Sequence, residues 1–209
     1  MSPVVTGEDG IRRCAWGAST PEYQAYHDQE WGRPVGDDRR VFEKLCLEGF
    51  QAGLSWLTIL RKRDGFRKAF AAFDPSVVAA FGDADVDRLL ADTGIVRNRA
   101  KVLATINNAQ AALRLRDENV SLAALVWEHE PSASGPPGGD GDLASSTPES
   151  KSLSAELLRR GFRFVGPTTV YAAMQSLGVV NDHLHDCHFR AIAEAERAQF
   201  RVPQSGSAS

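Results

Sequence analysis

The sequence predicts an all-α fold. Apolar residues recur at spacings of three and four through most of the chain. Three cap-then-proline pairs, Thr20-Pro21, Asp74-Pro75 and Thr147-Pro148, mark helix starts. Few stretches alternate apolar and polar residues as a half-buried strand would. With 209 residues, 43% of them hydrophobic, the chain can bury one sizeable core or two small subdomains sharing one.

The elements follow in order. Thr20 caps a helix that runs through Tyr23 to Trp31 and sets Tyr23, Tyr26 and His27 on one face. Asp37 or Asp38 caps the next, whose apolar positions are Val41, Phe42, Leu45, Cys46 and Leu47, with Gly49 or Gly53 as its end. Ser55 to Arg63 is a short apolar-then-basic helix. Asp74-Pro75 starts a turn carrying Val77, Val78 and Phe81, and Asp83 to Thr93 is a helix stopped by Gly94. Asn98 to Leu115 is long and alanine-rich, and Val120 to Glu128 is short. Residues 131–150 break the pattern: thirteen of the twenty are Pro, Gly or Ser, which predicts a mobile loop. Thr147 caps the following helix, which carries Leu153, Leu157 and Leu158 and ends at Gly161. Pro167 to Leu177 is the next, and the tail after Val202 is expected to be disordered.

Composition excludes several classes. The formal net charge is -3, so nucleic-acid binding has to rest on local patches. Three exist: Arg61 to Lys68 with five cations and one anion; Arg97, Arg99 and Lys101; and Arg159, Arg160 and Arg163. Each is equally a solvated helix face. Cys14, Cys46 and Cys187 are too few and odd in number for a disulfide framework. No signal peptide opens the chain, and no apolar run approaches the ~20 residues of a bilayer span. A reducing, cytoplasmic setting is expected.

Two sets of residues carry chemistry. Cys14 and His27 near one end, with His183 and Cys187 near the other, offer the two thiols and two imidazoles that suit tetrahedral zinc. His185 and His188 are rivals in the same stretch, and core histidines beside inert thiols are the plain alternative. Between two helices lies Gly161-Phe162-Arg163-Phe164-Val165-Gly166-Pro167-Thr168-Thr169. A glycine-bounded turn running into a helix N-terminus can bind a phosphate through its backbone N–H groups, or can be an ordinary corner.

That hairpin, followed by Val179-Val180-Asn181-Asp182-His183, resembles the helix-hairpin-helix DNA glycosylases. The 3-methyladenine branch of that superfamily is matched by further blocks: Cys14-Ala15-Trp16-Gly17; Tyr26-His27-Asp28-Gln29-Glu30-Trp31-Gly32; and Leu47-Glu48-Gly49-Phe50-Gln51-Ala52-Gly53-Leu54-Ser55-Trp56. The resemblance runs from about Arg13 to His188, apart from the loop 131–150. It implies a helix-hairpin-helix glycosylase fold. Residues 1–12 would be flexible, 13–190 the catalytic domain of two helical subdomains with a mobile loop over 131–147, and 191–209 a helix end and disordered tail.

The resemblance also implies roles. Cys14, His27, His183 and Cys187 would hold one structural zinc ion that joins the two ends of the chain. Glu48 would be the catalytic carboxylate that hydrogen-bonds the damaged base, where the residues alone allow an exposed acid at a helix end. Trp16, Tyr26 and Trp56 would be stacking walls, where the residues alone allow core packing. Gly53 and Leu54 would plug the emptied DNA stack, and Arg163, Gly166, Thr168 and Thr169 would grip the backbone. Asn181 stands where the superfamily usually has an aspartate, and Thr168 where some members have a lyase lysine. Both departures argue against β-elimination, and Asn181 is expected to suffice because a cationic purine is already a good leaving group. The implied activity is monofunctional release of 3-methyladenine from alkylated double-stranded DNA in base excision repair, by a monomer away from membranes. A catalytically idle, zinc-braced damage-binding module is the alternative. A zinc hydrolase or deaminase with an open, catalytic metal is a further alternative, disfavoured by the lack of the deaminases' Cys-x-x-Cys and His-x-Glu signature.

Overall fold

The computed structural model describes residues 4–132 and 144–206. The expected mobile loop therefore lies partly outside the described residues, as do 1–3 and 207–209. A two-stranded antiparallel ribbon opens the fold: β1 (Val4–Thr6) pairs with β2 (Arg12–Cys14), Val4 opposite Cys14. Of the segment 1–12 expected to be flexible, residues 4–12 form this ribbon and its turn, and 1–3 lie outside the described residues. The intervening turn is closed by Gly7 N–H donating to the Ile11 carbonyl, and the Arg13 guanidinium donates to Asp9.

Ten helices follow among the described residues. The first five are α1 (Pro21–Gln29), α2 (Asp38–Gln51), α3 (Trp56–Ala69), α4 (Pro75–Val78) and α5 (Asp83–Ala91). The others are α6 (Arg99–Asp117), α7 (Leu122–Trp127), α8 (Pro148–Arg159), α9 (Pro167–Ser176) and α10 (His188–Gln199). The predicted caps Thr20, Asp37, Asp74 and Thr147 each accept an N–H of the first turn, and Ser55, Asn98 and Ser121, not read as caps from the sequence, do the same. The all-α reading holds, with one length correction. Of the two ends expected for α2, Gly49 and Gly53, the structure takes the second: the helix runs through Gly49 and stops before Gly53 (φ +80°). Helix α3 continues past Arg63 to Ala69, because Phe66 and Ala69 are buried and reward the extra turns.

Helix α2 is the axis of the molecule. It packs against α3, α6, α7 and α9, and its residues Leu45 to Phe50 are all buried. A helix enclosed on every side has no polar face to spare. A charge on it is therefore buried with it, and Glu48 is such a charge.

The C-terminal segment is better ordered than its composition predicts. Helix α10 packs on β2, and Phe200 lies against Trp127 with ring centroids 4.7 Å apart. The Gly206 N–H donates to the Asn119 carbonyl. The expected disorder after Val202 is corrected as far as residue 206.

Candidate active site

A cleft of about 260 Å³ opens beside α2. Trp16, Tyr23, Tyr26, Trp31, Glu48, Gln51, Trp56, Ala172 and Gln175 line it, from the 3-10 turn over 15–18 and from α1, α2, α3 and α9. All four residues named from the sequence, Trp16, Tyr26, Glu48 and Trp56, thus face one cavity. The aromatic rings brace one another. Trp16 meets Tyr23 edge-on at 5.6 Å and Trp31 edge-on at 5.0 Å, and Tyr26 tilts against Trp56 at 5.4 Å. Such contacts hold rings at set angles, so the walls stand before any ligand arrives.

Glu48 is 5% exposed and has no hydrogen bond or ion pair among the described residues. Burial drives its pKa up to about 8, and the Lys44 ammonium draws it part of the way back. A carboxylate that lines a cleft and has no donor of its own presents its oxygens to whatever enters, and so marks a site kept for a ligand. The Trp56 indole nitrogen in the same wall is buried and also without a partner. Gln51 and Gln175 add amides to the rim. They escaped the sequence reading, although Gln51 lies one turn beyond Glu48 on the same helix.

Asn181 requires a correction. Its amide donates to the Arg190 carbonyl and to Glu194, both on α10, and it does not line the cleft. Its neighbour Asp182 is the one that faces the cleft wall, accepting from Tyr171 Oη at 2.6 Å and from the cleft residue Gln175 at 2.8 Å.

Behind the aromatic wall stand Cys14, His27, His183 and Cys187, all buried, with donor atoms within 4.8 Å of one another. His185 and His188 are exposed and take no part. The Nδ1 of His27 lies 2.8 Å from an Asp28 carboxylate oxygen, and the Nε2 of His183 lies 3.1 Å from the Trp31 carbonyl. Both partners only accept, so each neutral ring donates there and turns its lone pair inward. The two inward nitrogens are 3.2 Å apart, and Cys187 Sγ is 3.6 and 3.5 Å from them. Bonds of ~2.0–2.3 Å in a tetrahedron require ligand separations of roughly 3.3–3.8 Å. Facing lone pairs repel unless a cation lies between them. Hydrogen bonding from Cys14, then from His183 and His27, holds the Cys187 thiol below its ordinary range, and the same contact, with burial, holds Cys14 above its own, so the two sulfurs share one proton. Cys14 Sγ stands farther out, 4.0 Å from His183 Nδ1, and together the four buried side chains offer a metal ion two thiols and two imidazoles.

Cluster and cleft share residues. Ligand Cys14 is two positions from Trp16, and ligand His27 follows Tyr26. Gly17 lies so close to the His27 ring that a Cβ there would come within 2.5 Å of it. No larger residue fits between ligand and wall.

The hairpin over 161–166 joins α8 to α9. Asn108 of α6 clamps it: its side-chain oxygen accepts the Arg163 N–H at 2.7 Å, and its amide donates to the Arg163 carbonyl at 3.0 Å. Gly166 begins α9 without a side-chain cap, leaving the Thr168 and Thr169 N–H groups no intrahelical acceptor. Gly53 and the 42%-exposed Leu54 form the turn after α2, and the Lys101 ammonium caps that helix end by donating to the Phe50 and Ala52 carbonyls at 2.8 and 2.5 Å. Helix α6 therefore holds both the Leu54 turn and the hairpin.

The basic patches sort by pairing. Arg61, Arg63 and Arg67 bond Glu22, Glu30 and Glu43, and Arg159 and Arg160 bond Glu156. Arg97, Arg99 and Arg163 are exposed and form no ion pair among the described residues. No helix is long and apolar enough to cross a membrane among the described residues.

Fold and cleft together define a helical protein that takes a flat, electron-poor ring between aromatic walls. The family model for methyladenine glycosylase matches residues 16–191. DNA-3-methyladenine glycosylase 1 of Escherichia coli K12 is 44% identical over 180 residues, spanning 85% of this chain and 96% of that one. A crystal structure of 3-methyladenine DNA glycosylase I superposes with a TM-score of 0.81 at 46% identity, covering 84% of this chain and 98% of its own. The Staphylococcus aureus enzyme, in a structure describing its recognition of 3-methyladenine, gives 0.79 at 35% identity, with 85% and 96% covered. The chain belongs to the methyladenine glycosylase family.

Proposed function

We propose that this protein is a monofunctional N-glycosylase that takes 3-methyladenine, flipped out of alkylated double-stranded DNA, into the cleft and hydrolyses its bond to the sugar. One observation carries the reading: a carboxylate without a protein partner, Glu48, set among five indole and phenol rings. N3-methylation makes adenine cationic in DNA. Electron-rich rings favour such a cation by roughly 0.5–2 kcal/mol over a neutral base, and a carboxylate adds charge-assisted hydrogen bonds. Ordinary adenine has neither the charge nor the donor pattern to offset the cost of leaving the stack, a few kcal/mol.

The chemistry asks little more. As the bond from N9 to C1′ breaks, its electron pair enters the ring and cancels the positive charge. Water adds to C1′ and its proton passes to solvent. Thr168, at the hairpin position where lyases carry an amine, cannot form a Schiff base, so the abasic strand is left uncut. Leu54 fills the emptied stack. Arg163 and the N–H groups of Thr168 and Thr169 hold the backbone phosphates.

Cys14, His27, His183 and Cys187 would hold one zinc ion. With four protein ligands it has no open position for water, so its work is structural. It ties the chain ends together and steadies Trp16 and Tyr26, which flank its ligands. Three buried free cysteines suit a reducing cytoplasm. The test is incubation with methylated DNA and chromatography of the released base, using Glu48→Gln as control. Release of 3-methyladenine by the native protein, cut about 10–100-fold in the folded variant by loss of a charged hydrogen bond, supports the reading. Damaged DNA bound without base release would leave the idle damage-binding module in its place.

A further inference from the structure

Behind the aromatic wall of the cleft lies a buried charge that the reading above does not use. Lys44 lies one helical turn before Glu48 on α2 and is 7% exposed. Its Nζ makes no hydrogen bond among the described residues. It stands 4.7 Å over the Tyr26 ring and 5.9 Å from the Trp56 ring, both walls of the cleft, and 3.9 Å from the Glu30 carboxylate. Glu30 does not serve it alone, because that carboxylate is already gripped by Arg63 at 2.6 and 2.7 Å. A bare ammonium behind an aromatic wall is an expensive arrangement, and no packing demand calls for it.

We propose that Lys44 is a positioning residue whose charge lets Glu48 meet the cationic base as a carboxylate. This rests on the cleft being the base site. The two side chains are i and i+4 neighbours on one helix, the spacing at which opposite charges feel each other. The other charged groups facing the pair are Glu30 from the end of α1 and Arg63 from α3, which neutralise one another; Glu43 on α2 is bound to Arg67. Tyr26 is a neutral phenol, and its pKa is raised further by burial. Among the described residues Lys44 is thus a nearby cation held by no carboxylate hydrogen bond, its one ion pair being the longer 3.9 Å contact with a Glu30 already shared with Arg63. Burial lowers its pKa to about 8, so it is still largely charged at neutrality. Without it, Glu48 would hold its proton to a higher pH and face the base as a neutral acid. When the base enters, Glu48 gives its proton to solvent and the cation of the ligand replaces it. The ammonium covers one face of Tyr26, so the ligand stacks elsewhere and does not displace it.

The test is the pH dependence of kcat/KM on methylated DNA, for the native protein and for Lys44→Met, Lys44→Gln, Lys44→Arg and Glu48→Gln, each checked by circular dichroism. In the native protein activity rises through the Glu48 ionisation, near pH 8. Lys44→Met and Lys44→Gln are expected to move that midpoint up by about one unit, losing roughly tenfold at pH 7 and less at pH 9. Lys44→Arg keeps the native midpoint. Glu48→Gln is uniformly slow and loses the rise. The carbon-13 shift of the Glu48 carboxyl reads the same midpoint without turnover, should a variant be too slow to assay. An unmoved or lowered midpoint in both uncharged variants, beside a slow and pH-flat Glu48→Gln, overturns the role of Lys44 and leaves the base site standing. A Glu48→Gln protein with native rates and a native profile overturns both.

Discussion

Asp28 decides which nitrogen of His27 faces Cys14, His183 and Cys187. Its carboxylate takes the Nδ1–H at 2.8 Å, which leaves Nε2 and its lone pair 3.2 Å from His183 Nδ1. Arg13, donating through Nε and Nη2 to the same carboxylate, keeps Asp28 in place. Removing the charge without changing the shape isolates this effect. Asp28→Asn is expected to lower metal affinity about 10–100-fold, measured by competition with a chromophoric chelator. Unchanged affinity would mean that the ring is held by its aromatic neighbours alone.

Breaking the cluster itself has a larger effect. Cys187→Ala is expected to purify with well below one metal per chain and to melt about 5–15 °C lower, taking several kcal/mol at about 2–4 °C per kcal/mol for a chain of this size. Because Trp16 and Tyr26 adjoin the ligands, its tryptophan fluorescence should also change at temperatures where it is still folded.

The Lys44 and Glu48 pair leaves a mark on stability. Glu48 has its pKa raised from 4.5 to about 8 on folding, so the native state binds more protons than the unfolded state between those values. Stability therefore falls as pH rises through that window, by at most about 1.4 kcal/mol per pH unit. Lys44 has its pKa lowered from 10.5 to about 8, so above pH 8 the unfolded state binds more protons and stability climbs again. Urea midpoints measured from pH 5 to 10 should pass through a trough near pH 8. In Glu48→Gln the falling limb should vanish, and persistence of that limb would assign it to another group.

Leu54 and Lys101 separate DNA insertion from base binding. Leu54→Ala removes an exposed side chain, so its stability should stay within about 0.5 kcal/mol. Lys101→Met frees the Phe50 and Ala52 carbonyls and loosens the turn that presents Leu54. Both are expected to lower the rate on duplex DNA by tenfold or more, while binding of free 3-methyladenine, read by tryptophan quenching, changes less than twofold. Equal loss of both would place Leu54 among the pocket's supports.

Arg163 offers an electrostatic test. It is exposed and unpaired, while its backbone is locked by Asn108. Arg163→Ala should weaken binding to all DNA sequences alike and reduce the slope of log affinity against log salt by about one. A slope equal to that of the native protein would mean that no phosphate is neutralised there.

Much of this protein was legible in its sequence because the determining interactions are local. Caps at Thr20, Asp37, Asp74 and Thr147, and apolar spacing along α2 and α6, act within one or two turns, so they can be read without a fold. The ligand and wall residues were legible for a different reason: their types and order match a known family. Tertiary structure alone decided the rest. It set Glu48 among rings from three helical elements and the turn after α1, turned Asn181 toward α10 and Asp182 toward Gln175, and took up five of the eleven cations of the apparent basic patches in ion pairs. It also placed Lys44 behind Tyr26. Whether a charge is spent on a neighbour or left for a ligand depends on which distant residue lies within a few ångströms, and spacing along a chain does not contain that distance.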